Sequence, residues 1–224
     1  MEYSIEDRIA IVRENIERAS QGRPVTLVGV AKTKPPALVR RAVAAGLTVI
    51  GENYVQEIRD KGAAGAYEGA SVHMIGHLQA NKVKYIVGAV SMIESVDSAS
   101  LLDKIGARAQ SLGVVQDVLI EINIGGEASK SGVTPEALPE LLASAGNRPG
   151  IRVRGLMTIP PPEKSAAYFP RMYHLFIDNN EKKYDNVRME FLSMGMSDDY
   201  EAAIREGANM VRVGSFIFGP RDYA

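Results

Sequence analysis

VTLVGVAK, residues 25–32, is the stretch of sequence from which the fold can be inferred. Its first seven residues are apolar or small, rich in β-branched side chains, and do not alternate with polar residues. A run of this kind is typical of a strand that is buried on both faces, as in a parallel sheet covered by helices. Lys32 follows the run directly, so the sequence predicts a charged side chain at the carboxyl end of this first strand.

The segment before this strand predicts an amphipathic helix. Ser4 and Asp7 resemble a capping box at its start, and Gly22-Arg23-Pro24 ends it. Its apolar residues recur at helical spacing: Ile5, Ile9, Val12, Ile16 and Ala19.

After the first strand, strand-like and helix-like segments alternate. Seven further strands are predicted over residues 48–50, 71–75, 91–96, 118–123, 151–159, 189–194 and 210–214. Helices are predicted over residues 38–45, 54–61, 78–87, 99–112, 134–145, 166–179 and 198–205. Regular alternation implies a parallel sheet with crossover helices. Eight strands in 224 residues favour one closed (β/α)₈ barrel of the TIM type, an α/β fold, with residues 1–224 as a single domain.

An open, doubly wound sheet is the alternative architecture. Such sheets usually carry a glycine-rich phosphate loop after the first strand. Residues 31–36 read AKTKPP, which is neither G-x-G-x-x-G nor a Walker sequence. The barrel is therefore favoured.

Composition and charge exclude several classes of function. Lys and Arg number 26 against 27 Asp and Glu, so nothing indicates nucleic acid or an anionic membrane as the main partner. The chain has no cysteine, which excludes disulfides, thiolate metal sites and cysteine nucleophiles. The N-terminus carries acids where a signal peptide would be basic, and no run is apolar enough to span a bilayer. We expect a soluble, cytoplasmic protein.

The reactive side chains of a barrel gather at the carboxyl ends of its strands, where Lys32 is the residue of most interest. An ammonium group there is costly unless a partner or a function holds it. Such a lysine can form a Schiff base with a carbonyl compound, or it can simply pair with a carboxylate at the barrel rim. Lys34, beside two prolines, is expected to be a solvated loop residue.

The ends of the last two strands offer candidate anion ligands. Arg212, Gly214 and Ser215 lie where barrels frequently bind phosphate, although Gly214 could be only a strand terminator. Ser193 and Ser197 bracket the turn after the seventh strand. Ser197 could bind phosphate or serve as a helix N-cap.

The three histidines do not predict a metal site. His77, at a strand end, is a candidate site residue, whereas His73 is expected in the core and His174 in helix packing. No His-x-x-His or Glu-x-x-His spacing occurs, so we expect no dedicated metal site. Gly-x-Ser-x-Gly is also absent.

Seven segments of the chain resemble one known family, the pyridoxal phosphate homeostasis proteins, which are single-domain relatives of the alanine racemase N-terminal barrel. The segments run in order along essentially the whole chain: VAKTKP (30–35), GENYVQE (51–57), IGHLQANK (75–82), SKSG (129–132), RGLM (154–157), LSMGMSDD (192–199) and VRVGSFIFG (211–219).

The resemblance implies a cofactor and its ligands. Lys32 would carry pyridoxal 5′-phosphate (PLP) as an internal aldimine, with Arg212 near the pyridine nitrogen. The phosphate would be held by Gly214, Ser215 and a serine of the strand-seven turn, either Ser193 or Ser197. Asn53 would line the pocket, and His77 is included among the expected site residues.

The resemblance also implies a carrier rather than a catalyst. An arginine at the pyridine nitrogen keeps it unprotonated, which weakens the ring as an electron sink. We also expect the second domain of alanine racemase, with its catalytic tyrosine, to be missing. The expected function is PLP homeostasis in the cytoplasm by a monomer that binds PLP and transfers it to PLP-dependent apo-enzymes.

Three alternatives stay open. The protein could be a weak amino-acid racemase that uses Lys32 with His77 as second base. It could be another lysine Schiff-base enzyme such as an aldolase. It could also be a regulatory interaction protein for which PLP is a sensor ligand.

Overall fold

A computed structural model describes residues 3–127, 129–180 and 184–220. Eight parallel strands form a closed barrel in the order β1-β2-β3-β4-β5-β6-β7-β8. The strands are β1 (Thr26–Val30), β2 (Val49–Glu52), β3 (Ser71–Met74), β4 (Met92–Val96), β5 (Gln116–Ile122), β6 (Ile151–Thr158), β7 (Val187–Ser193) and β8 (Met210–Val213). The helices are α1 (Ile5–Ser20), α2 (Pro36–Ala44), α3 (Val55–Ala63), α4 (Val83–Ile86), α5 (Ala99–Leu112), α6 (Leu138–Ala145), α7 (Ser165–Asn180), α8 (Tyr200–Arg205) and α9 (Ser215–Phe218).

The predicted barrel and its leading helix are confirmed. β1 pairs with both β2 and β8, which closes the sheet. The capping box of α1 is also present, because the Ser4 side chain accepts from Asp7 N at 3.1 Å while Ser4 N donates to Asp7 Oδ2 at 3.0 Å.

Several element boundaries differ from the prediction, including the helix expected over residues 134–145, which is a 3₁₀ turn (Pro135–Ala137) followed by α6. The segment expected as one helix over residues 78–87 is a 3₁₀ turn (Ala80–Lys82) followed by the single-turn α4. The helix expected from residue 198 begins at Tyr200. The short α9 was not predicted. Its four residues give the hydrophobic period too few repeats to be recognised.

The lumen of the barrel has one apolar layer. Its residues pack against each other rather than against the surrounding helices: Val28, Met92, Leu119, Met157 and Met210. Side chains alternate along a strand, so residues two positions further along face the lumen too. Glu94, Glu121 and Arg212 occupy such positions after Met92, Leu119 and Met210, and all three are buried. Charged groups thus lie above the apolar layer, toward the carboxyl ends of the strands.

Within the part of the chain that the structure describes, no helix is both long and apolar enough to cross a membrane.

Candidate functional site

A cavity of about 290 Å³ opens at the carboxyl ends of β1, β2, β7 and β8; we call it the first cavity. It brings together six of the eight residues expected from the sequence: Lys32, Asn53, Ser197, Arg212, Gly214 and Ser215. Ile75, Ile159 and Phe218 contribute apolar wall. The first cavity therefore combines an amine, a guanidinium, two hydroxyls and an amide on a partly apolar surface.

Lys32 is half-buried and follows a peptide unit that is tightly held. The carbonyl of Ala31 accepts from the buried Lys61 Nζ at 2.7 Å. On the other side, Thr33 N donates to Glu57 Oε2 at 2.8 Å, and Thr33 has a φ of 64°, which is uncommon for a β-branched residue. The backbone on both sides of Lys32 is thus fixed by α3.

Lys61 neutralises a carboxylate behind this loop. Its Nζ lies 2.8 Å from Glu52 Oε1 and 2.6 Å from Glu57 Oε2. Burial raises the pKa of Glu52, and the charge and hydrogen bond of Lys61 oppose that rise. Sequence reasoning missed Lys61, whose place on an amphipathic helix gave no sign that it points inward.

Lys34 was wrongly predicted to be solvated. Only 8% of the residue is exposed, it lines the first cavity, and its Nζ donates to the carbonyl of Pro220 at 2.5 Å. Lys34 therefore ties the loop after β1 to the segment after α9, beside Lys32.

The turn after β7 meets the turn after β8 through a hydrogen bond. Gly214 N donates to Ser197 Oγ at 3.2 Å. The N-cap role considered for Ser197 is wrong, because α8 begins later and Asp199 is its N-cap residue. Asp199 turns back to accept from Met196 N at 2.6 Å. Ser197 and Ser215 thus stand together at one end of the first cavity.

Ser193 lies deeper, in a buried polar cluster with His73, Glu94 and Arg212. Ser193 Oγ donates to Glu94 Oε2 at 2.7 Å and accepts from Arg212 Nη1 at 2.6 Å. Arg212 Nη2 also donates to the carbonyl of Thr158 at 2.8 Å. Of the two candidate serines, Ser197 lines the first cavity, whereas the hydroxyl of Ser193 holds Arg212 in place.

The buried polar cluster shifts two pKa values. Burial alone would raise the pKa of Glu94, but the hydrogen bond from His73 and the charges of His73 and Arg212 hold it below its usual range. Burial lowers the pKa of Arg212, while the carboxylates of Glu94 and Glu121 oppose that shift.

The three histidines have three different environments. His73 is buried, as predicted, and its Nδ1 lies 2.7 Å from Glu94 Oε1. His174 is exposed, so its predicted packing role is wrong. The His77 side chain is 56% exposed, with Nδ1 at 3.4 Å from both Asp97 Oδ2 and Ser131 Oγ. His77 lines a neighbouring cavity rather than the first one.

This second cavity, of about 210 Å³, contains a buried carboxylate that sequence reasoning missed. Burial raises the pKa of Glu121 to about 7, with a contribution from Asp97, and the charge of Arg212 opposes the rise. The sequence did carry a signal for Glu121: it lies two residues after a lumen-facing leucine.

The raised pKa of Glu121 predicts a pH-dependent loss of stability. The folded state holds the proton above the usual value of 4.5, so stability falls as the pH rises from about 4.5 to about 7. The shift corresponds to about 3 kcal/mol. We expect Glu121→Gln to gain about that much over the wild type between pH 4.5 and 7.5 in urea unfolding series. Parallel pH profiles for the two proteins would contradict this assignment.

Fold and site together define a class of protein: a closed (β/α)₈ barrel with a lysine after its first strand and an arginine in its last. The family described as "Alanine racemase, N-terminal domain" matches residues 8–222. The chain is 46% identical to the "Pyridoxal phosphate homeostasis protein" of Aquifex aeolicus (strain VF5), over 97% of this chain and 98% of that protein. The chain therefore belongs to the pyridoxal phosphate homeostasis protein family, within the alanine racemase N-terminal domain class.

Solved structures support the same assignment. PipY of Synechococcus elongatus PCC7942 is 31% identical, and its structures without and with PLP bound give TM-scores of 0.88 and 0.84 over 96% of this chain and 100% of theirs. An alanine racemase of Clostridium difficile 630 shares the fold, with a TM-score of 0.72 at 16% identity. The match covers 96% of this chain but 60% of that racemase.

Proposed function

We propose that this protein binds PLP covalently through Lys32 and acts in PLP homeostasis as a carrier or buffer rather than as a catalyst. The observation that carries the proposal is the first cavity itself. It places the half-buried Lys32 and the buried Arg212 in one space with the hydroxyls of Ser197 and Ser215. Relatives named for PLP homeostasis and a relative crystallised with PLP bound support it.

The residues of the first cavity fit the parts of PLP. The phosphate would be held by the hydroxyls of Ser197 and Ser215 and the backbone at Gly214. A Cβ at residue 214 would lie 3.2 Å from Val30 Cβ, so glycine lets this turn pack closely on β1. Asn53 Oδ1 is buried, and no hydrogen-bond partner for it is found in the described ranges. Asn53 is therefore available to a ligand. Asp198 also lines the first cavity, but it is exposed, so water screens its charge.

Arg212 argues against general PLP catalysis, although it is compatible with racemase-like chemistry. PLP supplies an aldehyde that bonds reversibly to primary amines and a ring that can act as an electron sink. The guanidinium is held from behind by Ser193 and Thr158, so it can direct positive charge at a ring nitrogen. A cation there disfavours protonation of that nitrogen and weakens the sink. Holding the aldehyde needs only the amine of Lys32.

The placement of His77 also supports a carrier. A racemase needs a second acid or base on the opposite side of the substrate from the lysine. His77 lines the second cavity with most of its side chain in solvent. We further propose that the protein acts in the cytoplasm as a monomer and supplies PLP-dependent apo-enzymes.

The absorption spectrum of the purified protein, taken after incubation with PLP and removal of the excess, tests the proposal. We expect a visible band that disappears on borohydride reduction, and a pyridoxyl mass confined to the Lys32 peptide. Incubation with α-deuterated alanine should then cause no loss of deuterium. A protein that stays colourless and unmodified would overturn the proposal and favour a lysine Schiff-base aldolase, whereas deuterium loss would establish a racemase.

A further inference from the structure

The second cavity lies beside the first and shares part of its wall. Asn53, Ile75 and Ile159 line both cavities. Glu121 and Asn123, from the end of β5 and the loop after it, line only the second. The two cavities are therefore neighbours, and a small molecule in the second cavity would lie beside the group held at Lys32.

Glu121 is an unusual carboxylate for this protein. Only 8% of it is exposed, and along the described chain just two charged groups act on it, those of Asp97 and Arg212. The other buried lumen carboxylate, Glu94, accepts hydrogen bonds from two side chains. No hydrogen bond to the Glu121 carboxylate is found among the described residues. The Glu121 oxygens are not fully enclosed by protein, so water reaches them from the second cavity, and a ligand in that cavity can supply the donor instead.

A second acceptor faces the same region. Asn53 Oδ1 is buried, and within the described ranges no donor reaches it. Asn53 lines the second cavity together with Glu121. The acid of Glu121, beside the side chain of Asn53, matches the positive charge and the N–H donors of a primary ammonium group.

We propose that the second cavity is the binding site for the primary amine that receives PLP from Lys32, and that the Glu121 carboxylate binds its ammonium group and takes one proton from it. This proposal rests on the proposed function. The ammonium gives its proton to Glu121 and becomes a neutral amine. The nitrogen of that amine would bond to the carbon held by Lys32 Nζ while the bond from this carbon to Nζ breaks, and one further proton passes from the incoming nitrogen to Nζ, so that Lys32 leaves as the neutral amine. No electrons are gained or lost.

The electrostatic environment of Glu121 suits this role. Its pKa near 7 lets the carboxylate accept a proton at neutral pH and release it again. The charged and titratable groups around it are Asp97, Arg212, His77 and Lys130, of which Lys130 is exposed to solvent. Asp97 adds negative charge that favours an incoming cation, whereas the positive charge of Arg212 opposes it.

The rate at which amines remove PLP from the loaded protein tests the proposal. Loading is first verified by the borohydride-fixed mass on Lys32. n-Butylamine, which is protonated at neutral pH, is then compared with methoxyamine, which is largely neutral. In Glu121→Gln we expect the n-butylamine rate to fall at least tenfold and to lose its saturation with amine concentration. The methoxyamine rate should stay within twofold, since no proton needs to be removed. Glu140→Gln, an exposed carboxylate on α6, is the matched control and should behave as wild type.

L-Alanine distinguishes the two sources of a primary amine. Saturation by both L-alanine and n-butylamine identifies free amino acids as acceptors, whereas saturation by n-butylamine alone identifies a lysyl side chain. Equal rates in wild type and Glu121→Gln, or an equal loss with methoxyamine, would overturn the proposal.

Titration of the unloaded protein separates this proposal from the proposed function. We expect n-butylammonium chloride to bind the unloaded wild type in calorimetry and to bind Glu121→Gln at least fivefold more weakly. Equal binding by both proteins would overturn the site even if PLP loading succeeds. If PLP fails to load, the proposed function fails, and this titration alone decides whether the second cavity binds an ammonium group.

Discussion

Lys32→Ala is expected to abolish covalent binding of PLP. Lys32 follows the end of β1 by two residues, its side chain lines the first cavity, and the peptide units on both sides of it are held by Lys61 and Glu57. No other residue type at this position can form the bond, because only a primary amine condenses with the aldehyde. We expect the visible absorption of PLP-treated protein to fall at least tenfold and the pyridoxyl mass to disappear from this peptide. Lys32→Arg, which keeps the charge, should show the same loss.

Two lysine variants serve as controls for this prediction. Lys34→Ala is the more closely matched control, because Lys34 lines the same cavity as Lys32 but donates a hydrogen bond to the carbonyl of Pro220. It should keep the adduct on Lys32 and lose about 1 kcal/mol of stability with that bond. Lys104→Ala, on the exposed face of α5, should match the wild type in both respects. A full visible band in Lys32→Ala, with the pyridoxyl mass on Lys34, would contradict the assignment of the anchor.

The barrel could be predicted from the sequence because each strand is a short apolar run between helix-like segments. The alternation fixes the number and direction of strands, and eight of them close into a barrel. The prediction of one helix over residues 78–87 failed because the buried residues Val83, Ile86 and Val87 have helical spacing, although the chain forms only one α-helical turn there. The spacing of apolar residues indicates which residues are buried. A loop that packs on the core can have the same spacing as a helix.

The candidate site could be predicted only where one residue broke a local pattern. Lys32 and Arg212 stood out because each is a charge at the end of an apolar strand. Glu94 and Glu121 follow the same rule, two residues after a lumen-facing apolar residue, but their partners come from distant strands. Glu94, for example, meets His73 of β3 and Ser193 of β7. Such pairings form only when the barrel closes, and local sequence patterns do not show which side chains closure brings together.

The buried polar cluster explains how Arg212 can lie inside the barrel. Arg212 is 3% exposed, and an uncompensated charge so deeply buried would be prohibitive. Its two terminal nitrogens donate hydrogen bonds to the Ser193 hydroxyl and the Thr158 carbonyl, and the Ser193 hydroxyl in turn donates to the Glu94 carboxylate. Three strands besides its own, β4, β6 and β7, therefore supply the groups that hold this guanidinium where it lines the first cavity. The same contacts make the site and the stability of the barrel interdependent.

Arg212→Met is accordingly expected to destabilise the protein by about 3–5 kcal/mol, because it removes the guanidinium whose charge, together with the contacts of His73 and Ser193, stabilises the buried Glu94 carboxylate. Urea unfolding of the unloaded protein at pH 7 measures this loss. Arg205→Met is the matched control, since Arg205 is 59% exposed at its side chain and makes only a 3.9 Å surface pair with Glu201; it should cost less than about 1 kcal/mol.

The double variant Glu94→Gln/Arg212→Met tests the reason for that loss. It removes both charges together, so it should recover at least half of the stability lost in Arg212→Met. Additive losses from the two single changes would show that Arg212 stabilises the barrel by packing alone, through the stem of its side chain. Energetic coupling between the two substitutions would show that the buried Glu94 stabilises the guanidinium of Arg212. The charge of Arg212 at the first cavity would then be a requirement of the site rather than of the fold.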